Sequence, residues 1–587
     1  MPDPQLVLAT RVQDALSAAF GPSYANTDPV IRPSQFADLQ ANVALPLAKR
    51  LQQERGEKQN PRSVAEEILA HLDVADVASG VEVSGPGFIN FTFDDAWIAA
   101  QAQALLADKR LGVPRAEHPQ RVVVEYSSPN VAKEMHVGHL RTTIVGDAIA
   151  RILDFLGHEV IRDNHVGDWG TPFGMLIEHL LDLGEDAAAR DDSSVSDLTA
   201  FYQAARQKFD GDEAFAVRSR NRVVALQAGD PETIRLWTVL VEASKRYFNT
   251  VYERLGISLT DDDIKGESFY NDLLAPTVQE LEDKGIAVVS DGALCAFPPG
   301  FTGREGEPLP VIIRKRDGGY NYSTSDLATI RYRVDTEHVD RMIYVVGAPQ
   351  ALHFQMVFAV ARMAGWLNEG VRAEHAQIGN VLGTDGKILR TRAGGTVKLA
   401  ELLDEAVQRA GQEFDAIERD TPFDEATRAD IVEKVGIGAV KYADLSVSLD
   451  SEYIFDFDRM IAFKGNTGPY LQYATARIRS IFRRAGVAPE SATGRIVLGE
   501  PAERALALQL LSFGAVLEQA GEAAEPHKLA GFVYAVADAF TTFFENCPVL
   551  KAPDEATRDS RLALCAATLG VLTTGLDLLG VPVPERM

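Results

Sequence analysis

The sequence predicts an α/β multidomain protein: a small N-terminal α/β domain, a parallel-sheet domain of nucleotide-binding type that carries an insertion, and a C-terminal all-α helical bundle. Three observations lead there. The chain has 587 residues, more than one hydrophobic core organises. A strand, a helix and a second strand follow one another within about forty residues after Arg121, which makes a βαβ unit and hence a parallel sheet. Beyond residue 456 the apolar pattern is helical to the end.

Taken in order, residues 1–112 form the first unit. A helical pattern runs through "QFADLQANVALPLAKRLQ", "VEVSGPGFINFTF" alternates like a strand, and "DDAWIAAQAQALLADKRLG" is helical again. The second unit spans 113–385. Its β-branched run "RVVVEY" ends in the turn-forming "SSPN", and from His136 the apolar residues Leu140, Ile144, Ala148 and Ile152 recur every four, with Gly157 as a stop. "HEVIRDNHVGDWG" resumes as strand and loop. Residues from about 176 to 310 are more helical and acidic and are expected to be inserted. Strand signals return with "PLPVIIRKRDGGYNYSTSDLATIRYR" and "RMIYVVG". A region, 386–455, that opens with a basic loop from Gly386 to Ala400 precedes the helical unit, 456–587.

Composition narrows the function. Hydrophobic residues make up 46% and charged residues 24%, as in an ordinary globular protein, and the net charge of −26 opposes indiscriminate nucleic-acid binding without excluding a local basic face. No uninterrupted apolar stretch approaches membrane-span length. The N-terminus has no charged-then-apolar signal pattern, and Cys295, Cys547 and Cys565 are too scattered for a disulfide framework or a four-thiolate zinc site. A reduced, cytoplasmic setting is expected.

The chemistry is expected beyond the carboxyl end of the first parallel strand, where ligands of open α/β sheets sit. "SSPNVAKEMHVGHLR" lies there. Neither G-x-G-x-x-G nor a P-loop occurs at this point. The site offers instead His136, His139, Lys133 and a helix N-terminus with unpaired N–H groups, all suited to an anion such as a triphosphate. Gly138, without a β-carbon, would let a flat base or ribose approach closely. A metal is the weaker reading of the two histidines, since H-E-x-x-H is absent and no cysteine is near. Two capping or packing histidines would be the ordinary reading of an isolated H-x-x-H.

"HVGH" resembles the HIGH signature of class I aminoacyl-tRNA synthetases. "EYSSPNVAKEMHVGHLR", "NHVGDWGTPFGML", "DGGYNYSTSDLATIRYR", "GTDGKILRTRAGGTVKLAELLDEA", "NTGPYLQYATARIRSIFRR" and the ending "LDLLGVPVPERM" resemble the arginyl-tRNA synthetase family in particular. The resemblance spans essentially the whole chain, "GPGFINFTF" being typical of the family's extra N-terminal domain. It implies a class I Rossmann-type catalytic domain, an N-terminal domain touching tRNA and a helical anticodon-binding domain. It also implies the reaction: arginine attacks the α-phosphate of ATP, and the arginyl group of the adenylate passes to the 2'-hydroxyl of the terminal adenosine of tRNA. ATP would enter with Mg²⁺, without zinc; the partners would be L-arginine, ATP and its tRNA, with no membrane and a monomeric state.

Positioning and charge stabilisation dominate such a reaction, a role that suits His136 and His139. The family's usual KMSKS signature is absent. "GKILRTRAGG" stands in its place, with Lys387, Arg390 and Arg392, and the resemblance implies that Lys133 supplies missing positive charge. An exposed basic loop is the plainer reading of this segment. If the resemblance carries over, bound tRNA orders this loop before arginine is activated.

A guanidinium substrate needs carboxylates, because its planar fork is met best by bidentate acceptors. Asp326 lies four residues after Tyr322, on one face if the segment is helical. Both match the family's arginine-binding positions, as do Glu125, Asn130 and Gln350. Asp326, Tyr322 and Glu125 are expected near the guanidinium, with Asn130 and Gln350 nearer the amino and carboxyl groups. Taken alone, Asp326 would read as a helix N-cap and Glu125 as a surface acid. Between Asp458 and Glu490 there is no acid but six basic residues, and Tyr470, Tyr473 and Arg477 recur there at helical steps. Basic groups beside aromatics suit RNA contact; a solvated basic face is the alternative. Two rivals to the ligase remain at this point: a small-molecule adenylyltransferase, and a synthetase-like RNA-binding protein without catalysis.

Overall fold

The computed structural model describes residues 3–184, 198–390, 397–417 and 422–587. The N-terminal unit is a four-stranded antiparallel sheet, in the order β1 (Ile31–Pro33), β2 (Leu39–Ala41), β4 (Phe88–Phe93), β3 (Ala78–Ser84), with helices Pro4–Phe20, Ala44–Arg55 and Pro61–Ala70, and helix Asp95–Ala107 leads out of it to pack on helices Pro501–Leu510 and Glu555–Leu578. Two expectations are corrected. The stretch from Gln35 begins in irregular chain and the short strand β2, because Leu39 and Ala41 pair with Phe91 and Ile89; only from Ala44 is it helical. "VEVSGPGFINFTF" is a hairpin, folded back on itself at Gly85 and Gly87, both at positive φ.

The central sheet is parallel: β5 (Arg121–Glu125), β6 (Glu159–Asp163), β10 (Arg341–Gly347) and β11 (Arg372–Ile378), in the order β11-β10-β5-β6. Alternate residues feed two cores. Val122 and Val124 face one cluster and Val123 the other, as do Ile343 and Val345 against Met342 and Tyr344, which is why the strands read as unbroken apolar runs. Helix Val137–Leu156 carries the chain from β5 to β6, while β10 lies on the other side of β5. The strand order therefore reverses between β5 and β10, and a crevice opens beyond their carboxyl ends.

Between β6 and β10, helices Pro172–Leu183, Leu198–Gly211, Glu213–Gln227 and Pro231–Leu255 come first. The second half is not helical throughout, as its composition had suggested. It holds an antiparallel sheet of β7 (Ala287–Ser290), β8 (Ala293–Ala296) and β9 (Val311–Arg314), one face of which is buried against the second core. "NYSTSDLATIRYR", which follows a strand signal and spaces Tyr322 and Asp326 as a helix would, is the helix Tyr322–Asp335. Two short strands, β12 (Val381–Leu382) and β13 (Tyr453–Ile454), pair in parallel and bracket helices Leu399–Asp415 and Glu425–Leu445.

Helices Gly468–Ala485, Pro501–Leu510, Phe513–Ala523, Pro526–Asn546 and Glu555–Leu578 make the C-terminal bundle. Helix Glu555–Leu578 is long and apolar enough to cross a membrane by composition, yet most of its apolar stretch is buried inside the bundle. Arg504 fastens the bundle to the N-terminal unit: it donates to both oxygens of Asp38 at 2.7 Å, to Asp95 at 2.6 Å and to the Phe93 carbonyl at 3.1 Å.

Candidate active site

The turn between β5 and its helix is unusual backbone. Ser127, Ser128 and Ala132 all take positive φ, a strained choice for residues with a β-carbon that needs support from outside the segment. Helix Pro231–Leu255 supplies it. Ser244 Oγ accepts from the Ala132 N–H at 2.9 Å, the Tyr247 hydroxyl accepts from the Met135 N–H at 3.2 Å, and the Tyr252 hydroxyl lies 2.7 Å from Ser127 Oγ. Burial pushes the Tyr252 hydroxyl up to about 12, so it stays a neutral hydrogen-bonding group.

His136 and His139 form a reciprocal cap. His136 is the N-cap; its Nδ1 accepts from the Gly138 N–H at 3.0 Å, and His139 Nδ1 accepts from the His136 N–H at 3.1 Å. This is the geometry of a capping box with imidazoles as acceptors. It fixes both tautomers, since an Nδ1 that accepts leaves the proton on Nε2. Among the described residues, neither Nε2 has a protein partner. Burial, then His136, lowers His139 to about 3, and burial with the nearby Lys133 charge lowers His136. Both rings are thus neutral Nε2–H donors near pH 7. The capping and functional readings of H-x-x-H hold together here.

Two expectations change in this light. The helix start does not offer free N–H groups: Val137 N–H donates to the Val397 carbonyl at 3.0 Å and His139 N–H to the His136 carbonyl at 2.8 Å, with those of His136 and Gly138 used by the cap. Anion recruitment falls to the imidazoles, Lys133 and the helix dipole. Gly138 has a local reason as well, because a β-carbon there would lie 2.8 Å from the His136 ring. Lys133 is exposed, its ammonium 4.4 Å from the Tyr202 ring centre.

Asp326 is not an N-cap. Asn321 holds that position, and Asp326 stands one turn inside the helix that Tyr322 opens. Asp326 Oδ2 lies 2.5 Å from His353 Nε2, and the exposed Tyr322 ring packs edge-on to the same imidazole at 4.9 Å. Gln350, also exposed, immediately precedes the helix Ala351–Met363 that carries His353. Asn130 is exposed and bridges to Gly167, the Val131 N–H donating to the Gly167 carbonyl at 3.0 Å. Glu125 is no surface acid. It is 7% exposed and accepts from Arg333 Nη2 at 2.7 Å, with Asp163 at 3.0 Å from the same nitrogen. Burial pushes Glu125 up against the pull of Arg333. Glu125, Asp163 and His165 come within metal-binding distance of one another, but the Arg333 guanidinium already supplies the positive charge beside the two carboxylates.

His353, Arg333, Asp163 and the clamp of Ser244, Tyr247 and Tyr252 were not singled out from sequence. His353, three residues after Gln350, had a usable spacing; the clamp had none beyond helical periodicity.

Lys387 and Arg390 are exposed and border a cavity of about 850 Å³ against Glu401, Glu405, Phe455 and Phe457. Arg392 and the paired glycines 394 and 395 lie outside the described residues. The trio expected to contact RNA divides. Arg477 lies over the rings of Tyr473 and Phe544 at 4.7 and 4.9 Å on the surface, whereas the Tyr470 hydroxyl sits 3.0 Å from Thr541 Oγ1 and its ring packs towards Tyr534.

A histidine-capped helix following the first strand at the switch point of a parallel sheet, with a lysine before it, is the arrangement the resemblance to class I aminoacyl-tRNA synthetases implies, and the family comparison shows that class. The catalytic-domain model of class I tRNA synthetases, arginyl type, matches residues 101–457. An arginyl-tRNA synthetase N-terminal domain model matches 6–93 and a DALR anticodon-binding domain model 471–587. The chain belongs to the arginyl-tRNA synthetase family. It is 63% identical to the arginine–tRNA ligase of Thermobifida fusca over the whole of both chains, and 51% identical to that of Frankia casuarinae over 99% of each. Over full length it superposes on the arginyl-tRNA synthetases of Plasmodium falciparum (TM-score 0.84, 28% identity) and Thermus thermophilus (0.80, 25%).

Proposed function

We propose that the crevice between β5 and β10 activates arginine with ATP and delivers it to tRNA; the protein is an arginine–tRNA ligase. Full-length likeness to such ligases across all three domains sets aside the two rival readings. The observation that carries the site assignment is the pair of capped, neutral imidazoles, which leave both Nε2–H groups without a protein partner among the described residues.

In this reading His136 and His139 donate to the phosphate oxygens of ATP, where negative charge grows as the arginine carboxylate attacks the α-phosphorus. Lys133 adds a mobile positive charge, as do Lys387 and Arg390 from the signature segment; Arg392 is assigned with them on the resemblance. ATP enters as its Mg²⁺ complex, and no zinc takes part. Asp326 receives the guanidinium, bordered by Tyr322, with Glu125 contributing negative potential from below. Asn130 and Gln350 hold the amino and carboxyl groups. Lysine, lacking the planar fork, would leave acceptors unpaired. Tyr473 and Arg477 contact the anticodon arm, Tyr470 supports them from inside, and the N-terminal domain touches the tRNA body. The domains would divide at about 112, 385 and 455. A cytoplasmic monomer, away from membranes, completes the proposal.

Arginine-dependent ATP–pyrophosphate exchange, with and without cognate tRNA and with lysine as control, tests it. Exchange with arginine alone among the two amino acids is the expected result. Metal analysis and sedimentation of the purified protein test the zinc-free monomer.

A further inference from the structure

The helix that opens with His136 and His139 carries, two residues on, an arginine with no part in the chemistry above. Arg141 is 1% exposed and its partner Asp444 is fully buried. Arg141 Nε donates to Asp444 Oδ1 at 2.8 Å, and Nη1 donates to the carbonyls of Gly379 at 2.9 Å and Ser451 at 2.8 Å. The guanidinium also lies 5.2 Å from the Tyr453 ring centre. Gly379 and Ser451 each stand two residues before the paired strands β12 and β13. A buried ion pair is poor evidence of stabilisation, because an apolar pair of similar volume often does as well. What a guanidinium adds is a rigid fork that holds several oxygens from separate segments at once.

The Gly379 carbonyl belongs to the root of the signature segment, and the Ser451 carbonyl leads into β13, the strand paired with it. From β12 the chain passes into Gly383–Arg390, which folds back so that the Leu389 N–H donates to the Val381 carbonyl at 3.0 Å. After the undescribed stretch, the Leu399 N–H donates to the Met135 carbonyl at 2.9 Å, and Lys398 pairs with Glu134 at 2.8 Å. The far end of the basic segment is thus fastened to the histidine turn by backbone, and the near end by Arg141. Asp444 stands at the end of helix Glu425–Leu445, which abuts the C-terminal bundle: Gln472 Nε2 donates to the Lys434 carbonyl at 2.8 Å, and the Tyr442 hydroxyl to the Ala530 carbonyl at 3.0 Å.

We infer that Arg141 is a positioning residue for adenylate formation, holding the root of Gly383–Arg390 in register with His136 and His139, while Asp444 fixes its guanidinium from the helix that meets the C-terminal domain. The inference rests on the ligase reading and adds to it the residue pair that joins two parts of its site.

The test is exchange kinetics of the full-length enzyme for Arg141→Lys and Asp444→Asn. Arg561→Lys serves as control, since Arg561 is buried on Glu503 at 2.7 Å within the C-terminal bundle. The expected result is a kcat lower by about 100-fold, the scale of a small misplacement of reacting groups, with KM for arginine within about threefold of wild type and kcat of Arg561→Lys preserved. A folded Arg141→Lys enzyme with wild-type kcat would overturn the inference, as would an equal loss in the control or a loss confined to KM for arginine. Should Arg141→Lys not fold, Asp444→Asn, nearly unchanged in volume, decides by the same criteria. Absence of exchange in the wild type would instead overturn the ligase reading, so the two failures are distinguishable.

Discussion

The histidine turn and the cluster around Asp326 are built by opposite means. The turn is made within four residues: His136, Gly138 and His139 satisfy one another through two ring nitrogens and three backbone N–H groups. The cluster is gathered from far along the chain, with Asp326 held by His353, and Glu125 held by Arg333 beside Asp163. A self-capped motif carries its geometry wherever a helix follows a strand, whereas these acids meet their partners only once the sheet has brought distant segments together.

The comparison breaks most sharply at His139. Replacing it by alanine removes an Nε2–H donor and half of the cap, and kcat for exchange should fall about 1000-fold with little change in KM for arginine. The same residue leaves a signature in stability. Its folded value of about 3 lies below the ordinary 6.5, so between those values the unfolded chain binds a proton that the folded chain does not. Stability is therefore full above about pH 6.5 and falls as pH drops through that window. Thermal unfolding between pH 7 and 4.5 should show a shallower decline for His139→Gln than for wild type.

Asp326→Asn attacks the other cluster. It removes the charge proposed to meet the guanidinium while keeping the shape, and kcat/KM for arginine should fall about 100-fold, mostly through KM. Equal loss in kcat would mean that the two clusters do not work separately. Gly138→Ala is milder: the added β-carbon crowds the His136 ring, and exchange should slow about tenfold with arginine affinity intact.

The smallest effects concern the helix Gly468–Ala485. Arg477→Ala should raise KM for tRNA several-fold and lower the salt dependence of tRNA binding by about one unit of slope, leaving arginine affinity unchanged. Tyr470→Phe should barely alter tRNA binding, costing about 1 kcal/mol of stability through the lost bond to Thr541. A reversed ranking would turn the helix around.

Much of this was legible beforehand where the cause is local. The strand "RVVVE", the 3.6-residue stripe after His136 and the stop at Gly157 are period and capping rules at work. Tyr322 and Asp326 share a face because four residues make a helical turn. The misreadings share a cause too. Leu39–Ala41 is strand because Phe91 and Ile89 complete a sheet with it, and no local pattern announces a partner fifty residues away.

What the sequence by itself determined is therefore the set of short-range devices: the βαβ order, the histidine pair, the basic segment and the aromatic–arginine helix face. Only the tertiary structure decided that Glu125 is buried under Arg333, that His353 holds Asp326, that Tyr470 turns inward while Tyr473 stays out, and that Arg141 reaches the root of a loop some 240 residues downstream. Local devices follow from dihedral preference and hydrogen bonds within one turn. The rest depends on which distant surfaces the closing of two cores on one sheet brings into contact.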